Sequence, residues 1–236
     1  MDYYKIISRS KKHHGMKYKK GLNEDYLIFL PYGNCQPGGL YFSREDILAF
    51  IGYGHYVCKV TLPEGEDVYE DPDDYPKKWK AHRIILGPFK RLTTKKVEEL
   101  ISEGATVNQD TLDRIIQTGN LNMVRVLLKH GVKPGVRSFD LAVCSGLTKI
   151  FQELLKYQTL EQVSARCLME HAARYGMHGH ASILKVIFKA GLVDPATITD
   201  IEVGDWRTER VAKKYLPNAR IIRTGMYCSF FGSLFY

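Results

Sequence analysis

The second half of the chain repeats one arrangement of apolar and polar positions. Each copy places apolar residues at helical spacing and then ends in a glycine or a residue that stands in for it. The copies are residues 97–105, 124–132, 151–159 and 184–192. One apolar slot is held by Ile101, Leu128, Leu155 and Phe188, at separations of 27, 27 and 33 residues. An apolar helical pattern that recurs in this way predicts a repeat architecture.

A second helical pattern lies between these copies and predicts helix hairpins. Its segments are residues 111–122, 138–149 and 168–179. Glycines suited to end the first helix of each hairpin are Gly119, Gly146 and Gly176, and those suited to end the second are Gly104, Gly131 and Gly191. Glycine adopts the left-handed conformation of a helix end at little cost. Because one hairpin cannot bury its apolar face alone, we expect the hairpins to stack into an all-α array.

Residues 1–92, the N-terminal region, show the alternation and turn chemistry of short strands instead. The expected strands are residues 2–8, 26–31, 55–62, 67–70 and 81–87. Turn sequences rich in proline, glycine and aspartate separate them. One helix is expected after Ser43, which would cap it, with Asp46 three residues later and Phe42 packing on Ile47.

These patterns predict an α+β fold class. A small α+β domain over residues 1–92 is followed by an all-α repeat stack over residues 93–236. A helix at 205–216, ended by Pro217, is expected to cap the stack, because terminal repeats need a polar outer face. The apolar tail, residues 226–236, is expected to pack back onto the stack, and the alternative is that it packs into a partner or a second copy.

Residues 93–200 resemble ankyrin repeats. The run "IIQTGNLNMVRVLLKHGV", which ends at Val132, carries most of the likeness. The Thr-Pro-Leu-His turn of that family is replaced by "TLDR" at 111–114 and "SFDL" at 138–141, and Gln158 stands where a glycine is usual. Two repeat intervals are shorter than the roughly 33 residues of the family, so we expect trimmed connections.

The stretch "GNCQPGGLYFSREDILAF", residues 33–50, resembles a domain that precedes the ankyrin repeats in many proteins of giant DNA viruses. The residues that carry the likeness are Cys35, Pro37, Gly38, Gly39, Tyr41, Phe42, Ser43, Asp46, Phe50 and the run Lys78-Trp79-Lys80-Ala81. The likeness covers nearly all of residues 1–92. It implies a giant-virus (mimivirus-like) ankyrin-repeat protein and implies no particular activity for the domain.

The resemblance implies a non-catalytic protein that binds a host or viral protein. Ankyrin stacks bind through a concave face built from turns and first helices. On this chain that face would present Asp113, Arg114, Arg137, Asp140, Glu170 and Arg174. The location implied is the virion or the cytoplasm of the infected cell, with the nucleus as an alternative, and no cofactor is expected.

Composition fits a folded protein and narrows the classes of function. The chain has 236 residues, 44% hydrophobic and 25% charged. No run approaches 18 apolar residues, so no membrane helix is expected, and the N-terminus lacks the apolar core of a signal peptide. Five scattered cysteines without C-x-x-C spacing predict reduced thiols rather than a disulfide framework or a zinc site. Oligomeric state is left open.

The net charge of +8 raises nucleic-acid binding as an alternative. Residues 9–20 hold six basic and no acidic side chains, and Trp79 lies among lysines, an arrangement used to stack on bases. The candidate residues are Arg9, Lys11, Lys12, Lys17, Lys19, Lys20, Lys78, Trp79 and Lys80. The competing interpretation is a solvated loop and a buried tryptophan with outward lysines.

A second alternative is an NAD-dependent activity, because Gly-x-Tyr-Phe-Ser, a helix and an acidic strand end resemble small ADP-ribosyltransferase domains. Tyr41 would stack on nicotinamide, and Glu70 or Asp71 would assist transfer. The first strand offers Tyr4 and Lys5 where that family has a histidine or arginine. The competing interpretation is that Tyr41 packs the domain and the acids belong to a turn.

Other catalytic or metal chemistry is not expected from the sequence. His171, His178 and His180 surround one turn, but a metal needs three or four ligands in fixed geometry. Cys35 has no histidine at an interpretable spacing and is expected to act as a small apolar residue. No phosphate-binding loop, G-x-S-x-G or H-E-x-x-H motif is present, so we expect no catalytic site.

Overall fold

A computed structural model describes residues 1–73, 75–158, 160–175 and 179–224, without the side chains of 162 and 163. The chain divides into two compact units. The first comprises Met1–Thr118 and Asn122–Val132, and the second comprises Gly119–Leu121 and Lys133–Tyr236. Sheets occupy the N-terminal region and helices dominate the remainder, which confirms the predicted α+β fold class. The division at 92/93 remains a prediction.

Antiparallel strands build the N-terminal region. The main sheet has the order β1-β6-β9-β4, and β10 also pairs with β6. Its strands are β1 (Tyr3–Ile7), β4 (Gly21–Glu24), β6 (Tyr56–Thr61), β9 (Arg83–Leu86) and β10 (Lys90–Arg91). A small hairpin joins β2 (Lys12–His13) to β3 (Met16–Lys17). Lys5 of β1 lies opposite Cys58 of β6. This register determines which face of each strand packs against the core.

A second sheet of three strands has the order β5-β8-β7. It comprises β5 (Leu40–Phe42), β7 (Val68–Glu70) and β8 (Trp79–Ala81). One buried cluster draws on both sheets: Ile7, Tyr18, Leu40, Phe42, Cys58, Val60, Ala81, Ile84 and Leu86. Apolar burial of this kind is the main stabilising contribution for so small a region.

The predicted strand at 26–31 is wrong, because these residues form an irregular segment. Asp25 explains the difference. Its carboxylate accepts hydrogen bonds from the backbone N–H groups of Leu27 (3.1 Å) and Gly39 (2.7 Å), which turns the chain locally. Ile28 is left 83% exposed, so the apolar run that suggests a buried strand faces solvent.

The predicted helix after Phe42 exists as a 3-10 helix, Glu45–Tyr53, but its predicted cap is wrong. No side chain caps it. Ser43 instead donates to the carbonyl oxygen of Lys77 (2.6 Å), and Asp46 accepts from the backbone N–H of Lys77 (2.8 Å). Both polar residues therefore hold the distant loop that contains Lys77. The 3-10 helix itself packs on the helix Gln109–Gln117, which begins the first full repeat hairpin.

Three helices complete the first unit: α1 (Thr94–Ser102), α2 (Gln109–Gln117) and nearly all of α3 (Leu121–Lys129). Thr93 caps α1 by accepting from the backbone N–H of Lys96 (3.2 Å), and Asn108 caps α2 by accepting from that of Thr111 (2.9 Å). Their apolar faces bury Val97, Leu100, Leu112, Ile115, Ile116, Val124 and Leu127.

The second unit continues the hairpins with α4 (Val136–Cys144), α5 (Thr148–Leu154), α6 (Gln162–Tyr175) and α7 (His180–Lys189). Helix α4 packs on α5 and α6, and α7 packs on α5 and α6, the pattern expected of stacked hairpins. Positive φ angles at Gly104, Gly119, Gly131, Gly146 and Gly191 confirm the predicted helix ends. Gly176 lies outside the described residues.

The predicted terminal helix is confirmed as α8 (Trp206–Tyr215), with Asp205 and Thr208 forming a capping box. The sequence patterns missed the two strands that flank it, β11 (Asp200–Val203) and β12 (Arg220–Arg223), which pair in parallel. The predicted return of the apolar tail concerns residues outside the described ones. No helix in the described part of the chain is long and apolar enough to cross a bilayer.

Glu209 ties α8 to β12 and predicts an acid-sensitive contact. Its carboxylate accepts two hydrogen bonds from Arg223, both 2.9 Å, and pairs with Lys213 at 2.8 Å. These partners lower the pKa of Glu209 to about 2. A lowered carboxyl pKa contributes stability above the unfolded value, near 4.3, and this contribution is lost as the pH falls toward 2.

Glu209→Gln is therefore expected to lower the melting temperature at pH 7 and to flatten its decline between pH 5 and pH 2. Thermal unfolding followed by circular dichroism at several pH values measures both effects. Glu161→Gln, at an exposed glutamate in the same unit, is the control. Parallel pH profiles for wild type and Glu209→Gln would contradict the expectation.

Candidate interaction surface and the charged cluster of the N-terminal region

The first helices of the second unit carry four of the six predicted partner-binding residues. Arg137 and Arg174 are exposed, and Asp140 and Glu170 are half-buried. The described ion pairs join Arg174 to Glu202 (3.0 Å), Glu170 to Arg166 (3.2 Å) and Asp140 to His171 (3.0 Å). We call Arg137, Asp140, Glu170 and Arg174 the charged face.

The two remaining predicted residues lie on α2 in the first unit. Arg114 is half-buried and pairs with Asp110 one turn earlier, at 2.6 Å. Asp113 is only 5% exposed, so its side chain is not presented to a partner as predicted. Its position on the inner side of an amphipathic helix explains the burial, because Leu112 and Ile116 beside it belong to the core.

The ion pairs of the charged face hold it together only weakly. The side chains of these three ion pairs are more than two-fifths exposed, and exposed pairs contribute about 0–1 kcal/mol. A partner with complementary charges can therefore replace these contacts at little cost. This arrangement suits binding of a macromolecule and contains no nucleophile–base pair among the described residues of the face.

A buried charged cluster organises the N-terminal region, and the sequence did not reveal it. Lys78 pairs with Asp71 (3.0 Å) and Asp73 (2.9 Å), and the backbone N–H of Cys35 donates to Asp71 (3.0 Å). Burial raises the pKa of Asp71, but the hydrogen bonds from Cys35 and Lys78 outweigh it and leave that pKa below its usual value. We call Asp71, Asp73, Lys78 and Lys80 the charged cluster.

Lys80 is among the largest fully buried side chains of the chain's described part, at 0% exposure. Its ammonium group donates to the carbonyl oxygens of Tyr32 (3.2 Å) and Gln36 (3.5 Å). It also lies 5.6 Å from the ring centre of Tyr41 and 5.3 Å from that of Tyr69. Burial lowers the pKa of Lys80. This lysine therefore anchors the irregular segment 25–39 from within.

Tyr41, the candidate nicotinamide-stacking residue, is half-buried beside this cluster. Its hydroxyl donates to the carbonyl oxygen of Gln36 (2.9 Å), and its own carbonyl oxygen accepts from Lys5. Burial and the charges of Asp71 and Cys35 raise the pKa of the Tyr41 hydroxyl to about 12. Structural contacts thus hold the ring. They give the NAD alternative no support, although the ring is not fully buried.

The two candidate acids of the NAD alternative also have structural partners. Glu70 pairs with Lys77 (2.7 Å) and accepts from the indole N–H of Trp79 (3.2 Å). These hydrogen bonds lower the pKa of Glu70, which suits an ionised structural carboxylate. Asp71 lies inside the charged cluster. The structure therefore brings Tyr41 and Asp71 near each other, and it occupies both with contacts that fold the region.

The nucleic-acid candidates separate into two groups. Arg9, Lys12, Lys17, Lys19 and Lys20 are exposed around the β2–β3 hairpin. Lys11 is half-buried, with its ammonium group 4.5 Å from the ring centre of Phe89. Lys78 and Lys80 are buried, Lys78 in ion pairs and Lys80 against backbone carbonyl oxygens, so the predicted basic patch around the half-buried Trp79 is not presented to phosphates. The competing interpretation, a buried tryptophan with outward lysines, is also wrong for Lys78 and Lys80.

Comparison with known proteins relates this chain to proteins of one virus. One is "Putative ankyrin repeat protein R229" of Acanthamoeba polyphaga mimivirus, 38% identical over 108 residues, which are 42% of this chain and 34% of that protein. The chain is homologous to mimivirus proteins. A second relative, "Uncharacterized protein R869" of the same virus, is 33% identical over 88 residues, or 36% of this chain and 64% of that protein.

These matches confirm the resemblance to mimivirus-like ankyrin-repeat proteins. The chain spans about a third of the length of the first relative and just under two thirds of the second. No protein-family model and no solved structure matches the chain. Likeness to an ankyrin-repeat protein suggests a role in protein interaction, and the finer functional statements are proposals.

Proposed function

We propose that this chain is a non-catalytic viral protein that binds a host or viral protein through its repeat helices, in the infected cell or the virion. The observation that carries the proposal is the conjunction of stacked hairpins in the second unit with homology to a protein named for ankyrin repeats. Such repeats present extended surfaces for recognition rather than enclosed reaction sites.

The charged face is the surface proposed for this partner. Its side chains alternate in sign along α4 and α6, so a partner would be recognised by complementary charge. Such charges contribute to specificity and to the rate of association. The weakness of their internal pairs makes them available for exchange. The partner proposed is therefore a protein with a mixed-charge surface.

The test is affinity capture from infected amoebae by the tagged full chain, followed by mass spectrometry. We expect Arg137→Glu combined with Arg174→Glu to reduce capture of the specific partner at least tenfold. Each reversal places like charges together at the interface, and tenfold corresponds to about 1.4 kcal/mol. Isolated partner and chain would then be titrated to obtain the dissociation constants.

The matched control is Lys185→Glu combined with Lys189→Glu. These exposed lysines lie on α7 in the same unit, so the control changes net charge equally and leaves the charged face intact. Circular dichroism must show that both variants are folded. Equal loss of capture in the two variants would overturn the proposed surface. Loss of all capture after nuclease treatment would instead favour nucleic-acid binding.

A further inference from the structure

Three side chains with metal-binding atoms meet between α4 and α6. They are Asp140 and Cys144, one turn apart on α4, and His171 on α6, and their ligand atoms all lie within 4.8 Å of one another. His171 Nδ1 is 3.0 Å from Asp140 Oδ1, and Cys144 Sγ is 3.8 Å from the same oxygen. Neighbouring helices of the repeat stack thus supply three different donors to one point.

The spacing suits a tetrahedral ion. Zinc binds imidazole nitrogen and carboxylate oxygen at about 2.0–2.2 Å and thiolate sulfur at about 2.3 Å, so ligand atoms in a tetrahedral site lie about 3.3–3.8 Å apart. The sulfur–oxygen distance of 3.8 Å already lies at this spacing. The nitrogen–oxygen distance of 3.0 Å is that of a hydrogen bond, and only a small side-chain rotation would open it to the spacing of two ligands.

The donors select the kind of metal. A thiolate and an imidazole favour zinc and similar transition metals, whereas magnesium and calcium prefer sites made only of oxygen. Cys144 Sγ and Asp140 Oδ1 lie 3.8 Å apart, so a divalent cation between them would compensate the negative charge that the two groups carry once the thiol is deprotonated.

The ligand set belongs to this one junction of the repeats. In the preceding hairpin, Asp113 and Gln117 occupy the positions of Asp140 and Cys144, and Leu141 occupies that of His171. An aspartate at this slot is therefore a repeat feature, but the cysteine and histidine beside it are not. All three donors are half-buried, which leaves a route for an ion and a fourth position open to water.

We propose that Asp140, Cys144 and His171 bind one zinc ion through Oδ1, Sγ and Nδ1, with water as the fourth ligand. Binding would release the thiol proton of Cys144 to solvent and replace the Asp140–His171 hydrogen bond by two metal bonds. This proposal does not require the proposed protein partner, although Asp140 belongs to both the ligand set and the charged face. The competing interpretation is that Asp140 and His171 only form a hydrogen bond between α4 and α6, and that the Cys144 thiol binds no metal.

The test uses the full chain, reduced and stripped of metal with a chelator, and titrated with Co²⁺ as a spectroscopic probe. We expect a thiolate-to-cobalt charge-transfer band and the intense visible bands of tetrahedral cobalt, saturating at one equivalent. Zinc should displace cobalt and abolish both. Cys144→Ser should remove the charge-transfer band, and His171→Ala should weaken zinc affinity at least tenfold in competition with a chelator dye.

Cys167→Ser is the matched control, because this exposed cysteine lies on α6 outside the ligand set. It should bind cobalt as the wild type does. Alkylation of Cys144 in the folded wild type offers a second readout, and we expect zinc to slow it at least tenfold. A charge-transfer band that persists in Cys144→Ser, or an alkylation rate that zinc leaves unchanged, would overturn the proposal.

Discussion

Replacing Asp71 by asparagine is expected to destabilise the N-terminal region by about 3–5 kcal/mol, the usual cost of removing one partner from a buried ion pair. Asp71 is 2% exposed and faces Lys78 at 3.0 Å. Asparagine keeps the size of the side chain but leaves the buried ammonium group of Lys78 with Asp73 as its only carboxylate partner among the described residues. Asp73 is partly exposed, so it compensates incompletely.

The measurement is urea unfolding of the Trp206→Phe background, in which Trp79 is the single remaining tryptophan. Trp79 lies in β8 next to the charged cluster, so its fluorescence reports on the N-terminal region. Asp67→Asn, at an exposed position on the same stretch of chain, is the isosteric control. An unchanged midpoint for Asp71→Asn would contradict a structural role and renew interest in Asp71 as a reactive acid.

The repeat stack was predictable because it depends on local periodicity. The spacing of apolar residues such as Leu128 and Phe188 indicates burial within one hairpin, and the glycines mark where its helices end. Neither signal requires knowledge of distant contacts. Strand pairs lack this advantage. The parallel partners β11 and β12 are four residues each, too short to show a period, and the intervening helix α8 was the only part with a readable pattern.

Prediction of the N-terminal region from the sequence was wrong where polar side chains bind residues that are distant along the chain. Ser43 and Asp46 match a helix-cap pattern, yet both bind the backbone of Lys77, which is more than 30 residues away. Asp25 likewise reaches Gly39 and turns the apolar run after it into an exposed segment. Short polar side chains serve caps and loop anchors with the same chemistry, so sequence alone does not distinguish the two uses.

The candidate metal ligands illustrate the same limit. Asp140 and Cys144 lie one helical turn apart, so their proximity could be read from the sequence. His171 is 31 residues from Asp140 and reaches it only because α6 packs on α4. The sequence groups His171 with His178 and His180 around one turn and gives no sign that His171 meets Asp140. Recognising the set required the register between the two helices, which periodicity does not provide.

Truncating Phe151 to alanine is expected to destabilise the second unit by about 3–5 kcal/mol, the usual cost of removing a buried aromatic ring. Phe151 on α5 is 0% exposed. Its ring meets that of Phe139 on α4 edge to face, with centres 5.7 Å apart. The truncation leaves a cavity between the helices of one hairpin and removes an aromatic contact as well as apolar burial.

Urea unfolding followed by far-ultraviolet circular dichroism measures this loss, since α4–α8 form most of the described helix of the second unit. Phe151→Leu should recover most of the stability because it keeps much of the volume, and Val136→Ala, at an exposed site on α4, should change little. Because α4 carries Asp140 and Cys144, loosening of this hairpin should also weaken the cobalt spectrum of Phe151→Ala before global unfolding. Wild-type stability in Phe151→Ala would show that Phe139 and Phe151 do not form the centre of the hairpin core.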